Sequence, residues 1–301
     1  PGDLWTVEPF EGLVKDGYVY GRGASDMKGG VAAMMLALKA LKDKGTPIEG
    51  EIVFQGIGDE ETGSVNGTIA LLREVDSKFD GAVSSEPTDF YIERAQRGLR
   101  WVEVKVTGKS CHAGRPYVGK NAVEHAVKIV TALKAMEFDV ENDLFEYAKP
   151  NLSVTMFNGG IKTNVIPESC SFFIDRRMLP GETQEKVVGE IKAILDSVKE
   201  EGFKVEMSVV NDGWDPFITS EEEPAFSTLR DAYREVVKEE PGVRGKGGCT
   251  DASHIFKEGI PVIILGPGNA NESHTSDEKV SIKRIAQAAE IYAKSAVEFL
   301  K

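Results

Sequence analysis

Four short stretches of the sequence hold side chains that could share one chemistry. Asp26 stands in "GRGASDMKGG", Glu60 and Glu61 in "GDEETGS", Glu86 in "SSEP" and His274 in "ESHTSDE". Taken singly, each has an ordinary reading. Asp26 suits the cap of the apolar helix that follows it, a lone loop histidine is usually solvated, and an acid at a strand end is common surface chemistry. Taken together they pose a problem of charge. Carboxylates from three segments, each following an apolar run, gather at one edge of a sheet and repel one another. A divalent cation supplies the compensation, and the mixed histidine and carboxylate set suits zinc, with cobalt and manganese as alternatives. A phosphate-cradling loop before the helix is excluded, because Lys28 is followed by Gly29-Gly30 and not by Ser or Thr.

The elements that must position these residues follow from periodicity. Apolar residues recur at helical spacing over Met27–Leu41, Ala122–Met136, Gln184–Val198, Ala225–Val237 and Ile282–Leu300. Strand-like runs cover Glu51–Ile57, Gly81–Ser85, Trp101–Thr107, Asn151–Phe157, Ser171–Asp175, Lys204–Val210 and Pro261–Leu265. The beginning and the end alternate strand with helix, which predicts a mostly parallel sheet with crossover helices. From Leu99 to about Asn211 the order is strand, helix, strand, strand, helix, strand, the pattern of a ferredoxin-like α+β unit. The expected organisation is an α/β domain over 1–97 and 214–301, interrupted by an α+β domain over 98–213.

Composition narrows the function classes. Lys plus Arg number 36 against 49 Asp plus Glu, a net charge of -13, which argues against nucleic-acid and anionic-membrane partners. No apolar run approaches the ~20 residues that span a bilayer. The three cysteines Cys111, Cys170 and Cys249 are scattered, so a reducing, cytoplasmic location is expected.

With "SCHAGRP", "TNVIPES", "FIDRRMLPGE" and "GGCTDAS" added, eight motifs stand in one order along the chain. In that order they resemble the co-catalytic zinc family of acetylornithine deacetylase, succinyl-diaminopimelate desuccinylase, aminoacylase and glutamate carboxypeptidase. The resemblance implies a zinc-exopeptidase-like catalytic domain with an inserted lid and dimerisation domain, and two zinc ions per subunit. Asp26 matches the bridging carboxylate, with a cis Asp26–Met27 bond. Glu61 and His274 match ligands of one metal and Glu86 a ligand of the other. Glu60 matches the general base and His112 the oxyanion donor that enters the partner subunit's site. Arg177 and Asn164 match substrate-contacting residues, and the loop holding Gly248 and Thr250 matches the one that binds the substrate's carboxyl end. The family's remaining ligand is a His in a His-x-Asp segment shortly before "PGD-x-W", and this chain opens at that "PGD", so an N-terminally incomplete copy is expected.

The implied activity is removal of an acyl group from an N-acyl amino acid by a homodimer formed through 98–213. A dipeptidase or glutamate carboxypeptidase is the rival within the family. A non-catalytic binding protein on the same scaffold is the rival outside it, and Glu60 beside Glu61 argues against that. Asp251 reads as a helix cap as readily as a site residue. His125 and His254 receive no role, and adjacent Cys111-His112 lack the spacing of a nucleophile and its base.

Overall fold

Two separate apolar clusters organise the chain. The computed structural model describes residues 4–75, 78–210 and 212–301; Pro1–Asp3, where the family pattern begins, and Asn211 lie outside them. The chain divides into two compact units, Arg97–Phe217 and the combination of Pro1–Gln96 with Ile218–Lys301.

Within Arg97–Phe217 the sheet is fully antiparallel. Its strands lie in the order Lys204–Val209, Gly98–Thr107, Ser169–Met178, Asn151–Gly159. In chain order that is four, one, three, two, the ferredoxin-like arrangement. Alternation fixes the buried face: Val102, Val104 and Val106 point inward from one strand, Phe172 and Ile174 from its neighbour. The helix Ala122–Lys134 begins at Asn121, whose side chain accepts from the Val123 and Glu124 amides, and it buries Ala126, Ile129 and Leu133. Arg176 is fully buried, paired with Glu182 and stacked over Phe138. A short ladder, Cys111–His112 against Val165–Ile166, stands apart from the main sheet.

In the other unit the expected mostly parallel sheet is corrected to a mixed one. Val262–Ile264 pairs parallel with Ala82–Ser84, and Val243–Lys246 parallel with Ile92–Gln96. An antiparallel bridge, Ile264 to Glu93, joins the two pairs. The expected strand Glu51–Ile57 does not form, because among the described residues no strand lies beside it. Its side chains instead line a cavity of about 660 Å³ together with Met34, Leu38 and Leu229. The helices Gly29–Lys44, Pro224–Val237 and Ile282–Phe299 supply Ala33, Ala37, Phe226, Leu229 and Ile291 to the core over this sheet. No helix among the described residues is long and apolar enough to cross a membrane.

Close backbone approaches place the helix Gly29–Lys44 against the strand end that leads to Glu86. A Cβ on Gly30 would lie 2.3 Å from the Ser85 carbonyl oxygen. Gly30→Ala is therefore expected to lower stability by ~1–3 kcal/mol through overpacking, measured by urea unfolding; wild-type stability would show that the contact relaxes freely.

Candidate active site

Asp26 lies in the turn between the Tyr18–Tyr20 strand and the helix Gly29–Lys44, and its bond to Met27 is cis, as the family resemblance implied. It does not cap the helix, whose N-cap is Lys28 with no side-chain hydrogen bond. The turn is instead held by a residue given no role by sequence, the buried Glu278. Its carboxylate accepts hydrogen bonds from the amides of Gly23 (2.9 Å), Ser25 (2.9 Å) and Asp26 (3.0 Å) and pairs with Arg22 at 3.0 Å. Its place four residues after His274, in the same "ESHTSDE" segment, was the available signal.

Glu60 and Glu61 start a 3-10 turn, Glu60–Thr62, whose N-cap Asp59 has a left-handed backbone. Asp59 is occupied in closing that turn, accepting from the Thr62 hydroxyl and from the Asn66 amide at 2.9 Å. That frees Glu60 and Glu61 to face different ways. The His274 loop is tied to the Asp26 turn through Ser25, whose hydroxyl accepts from the Asn269 amide at 2.8 Å and donates to its carbonyl at 3.0 Å. Glycines permit this closeness: a Cβ on Gly266 would lie 2.3 Å from the Glu86 carbonyl oxygen, and one on Gly268 2.2 Å from that of Ser25.

These loops bring Asp26, Glu61 and His274 together, one donor atom from each within 4.8 Å of the others. His274 Nε2 lies 3.5 Å from both Asp26 and Glu61. Two carboxylates and an imidazole at this separation fit a divalent cation of the zinc class. Arg22 and Glu278 complete the lining of the same small cavity. Glu86 and Glu60 stand deeper. Burial pushes the Glu86 carboxyl up to about 8, with the Asp26 and Glu60 charges adding and Lys246 opposing. Burial likewise raises Glu60 to about 7, helped by Asp251, Glu61 and Asp26. Asp251 is not a side-chain cap; it accepts from the hydroxyls of Ser64 and Thr68. Thr250 is buried with its hydroxyl on Gln96 at 2.6 Å, whereas Gly248 is exposed.

The other predicted site residues belong to the α+β unit. His112 and Asn164 are neighbours there, the Asn164 carbonyl accepting from the Ala113 amide at 2.9 Å. The Gly114 amide donates to His112 Nδ1 at 3.0 Å, which puts the proton of a neutral ring on Nε2. Arg177, on the strand Ser169–Met178, pairs with Asp175 at 2.7 Å. His125 is buried and stacked on Phe203.

A raised carboxyl binds its proton more tightly in the folded chain than in the unfolded one. From the ordinary value near 4.5 up to about 8, folded protein keeps a proton on Glu86 that unfolded chain has released. Metal-free protein is therefore expected to lose stability as pH rises through that window. Urea midpoints at pH 5 and pH 8 measure it, and Glu86→Gln should flatten the slope. An unchanged slope in that variant would contradict the assignment.

The model of Peptidase family M20/M25/M40 matches residues 1–298. A succinyl-diaminopimelate desuccinylase of Psychrobacter arcticus is 30% identical, the match covering 96% of this chain and 72% of that protein. An N-formyl-4-amino-5-aminomethyl-2-methylpyrimidine deformylase of Bacillus subtilis is 25% identical, over 98% of this chain and 74% of its own. The crystal structure of aminopeptidase PepT from Bacillus cereus matches with a TM-score of 0.77 at 26% identity, covering 96% of this chain and 75% of that one. Match and motif order agree, and the chain belongs to Peptidase family M20/M25/M40.

Proposed function

We propose that the protein is a metal-dependent amidohydrolase that removes the acyl group from an N-acyl amino acid. The observation that carries this reading is Glu60, a carboxyl raised to about 7 beside the donor set of Asp26, Glu61 and His274. Asp26 would be shared by two zinc ions, with Glu61 and His274 completing one site and Glu86 contributing to the other. Cations held there supply Lewis acidity toward the scissile carbonyl and lower the pKa of water. Glu60 takes the proton of the attacking water and delivers it to the leaving amine, a double task that suits a group titrating near neutrality. The name of the Psychrobacter relative supports an acyl-amino-acid substrate. The PepT likeness supports a peptide substrate as the second reading, and comparing turnover of a succinylated amino acid with that of a di- or tripeptide decides between them.

The residues of the α+β unit would complete the reaction across a homodimer formed through 98–213. Exposed Val127, Met156 and Phe157, on a helix and on the edge strand Asn151–Gly159, support that surface. His112, with its proton on Nε2, would donate to the developing oxyanion in the partner subunit's site. The fork of Arg177 would grip the substrate carboxylate, aided by Asn164 and by the amides of the Gly248–Thr250 loop. The scattered cysteines Cys111, Cys170 and Cys249 support a cytoplasmic location.

Glu60→Gln is expected to keep its zinc and lose ~10²–10⁴-fold in turnover, read by metal analysis beside kcat. Zinc loss in that variant would mean that Glu60 and Glu61 exchange roles. Mixing His112→Ala with Glu60→Gln subunits should restore part of the activity, since each hybrid dimer holds one site with both groups intact. A mixture as inactive as its parents, despite proven subunit exchange, would place His112 outside the neighbour's site.

A further inference from the structure

The strand pair Ile92–Gln96 and Val243–Lys246 carries a charge cluster that the reaction described above does not use. Glu93 is buried, 2% exposed, in the middle of the sheet. One of its oxygens accepts from Arg244 Nε at 2.8 Å. The other has no hydrogen bond, and Lys246 Nζ stands 3.5 Å from it. A buried carboxylate is costly unless paired, so two cations around one acid are a deliberate arrangement. Each cation also donates one hydrogen bond to the same loop. Arg244 donates to the Thr88 carbonyl at 3.1 Å and Lys246 to the Pro87 carbonyl at 3.1 Å. Those carbonyls directly follow Glu86.

Sheet geometry explains how two cations reach one loop. Arg244 and Lys246 are two residues apart, so both project to the same face of their strand. The parallel register shifts between Arg244 and Gly245, a bulge that changes Lys246's partner from Ala95 to Gln96. Bulges re-aim side chains beside functional sites. Here the extra residue is Arg94 on the Ile92–Gln96 strand, so the alternation that puts Arg244 and Lys246 on one face is kept. Arg244 is also fixed from its other side, its guanidinium 4.2 Å from the Tyr91 ring centre.

We propose that Glu93, Arg244 and Lys246 form a positioning clamp on the Glu86-Pro87-Thr88 segment, which holds the Glu86 carboxylate in place to receive the second metal ion. The inference rests on the metal-centre reading only for its metal readout; the clamp itself is geometric. The three are positioning residues and none contacts the reacting atoms.

The test is a double-mutant comparison by zinc calorimetry on metal-free protein, with amide exchange over residues 82–92 measured in parallel. Lys246→Met is expected to weaken zinc binding by ~10-fold, the scale at which outer-shell partners of metal ligands act. In a Glu86→Gln background the same change should have no further effect, because the clamp acts through Glu86. Lys246→Arg should restore binding, and exchange in 82–92 should rise in Lys246→Met and Glu93→Gln while the His274 loop stays protected. Equal zinc losses in the two backgrounds, or unchanged exchange in 82–92, would overturn the clamp. Wild-type protein that binds no zinc would instead overturn the metal-centre reading, and the exchange data would still decide the clamp.

Discussion

Carboxylates gathered in a poorly solvated place govern this structure. Asp26, Glu60, Glu61 and Glu86 converge from three loops, and burial raises two of them far above the ordinary range. Such an arrangement costs stability in the absence of a counter-charge, since Glu60 and Glu86 lose hydration when ionised and meet their neighbours' field. The fold answers with two kinds of positive charge. A fixed one, Lys246, faces Glu60 and Glu86 from the sheet. An exchangeable one, a divalent cation, fits the gap that Asp26, Glu61 and His274 surround.

Everything around the acids is built to keep them from moving apart. Glu278 draws three backbone amides and Arg22 onto a buried carboxylate, and so shapes the turn that presents Asp26. Gly30, Gly266 and Gly268 let the neighbouring backbones close to distances no side chain would permit. Asp59 spends its charge on the turn that aims Glu60 and Glu61. Below Glu86, the Ser85 hydroxyl meets Tyr292 at 2.6 Å inside the core. Rigid support of this kind is what a metal centre needs from its scaffold.

Much of this was legible in the chain because strong signals are local. Helices such as Gln184–Ser197 and Ile282–Phe299 begin at Thr183 and Ser281, whose hydroxyls accept from the first turn, and their apolar stripes mark them clearly. The ferredoxin-like unit announced itself through the alternation of Val102, Val104 and Val106. The sheet beneath the acids did not. Ile92–Gln96 and Val243–Lys246 carry Glu93, Arg94, Arg244 and Lys246, so neither reads as an apolar strand, and without them the mixed pairing was invisible. Glu51–Ile57 misled in the opposite sense: an apolar run becomes a strand only where a partner strand offers it hydrogen bonds. Glu278 stayed hidden because its partners are backbone amides more than 250 residues away in the chain.

The central claim is that a cation neutralises acids which are protonated without it. Counting protons released on zinc binding tests this most directly, by calorimetry of metal-free protein at pH 6.5 in buffers of different ionisation enthalpy. With Glu60 near 7 and Glu86 near 8, binding is predicted to release about one to two protons per protein at that pH. Zinc binding with no linked proton release would contradict the account.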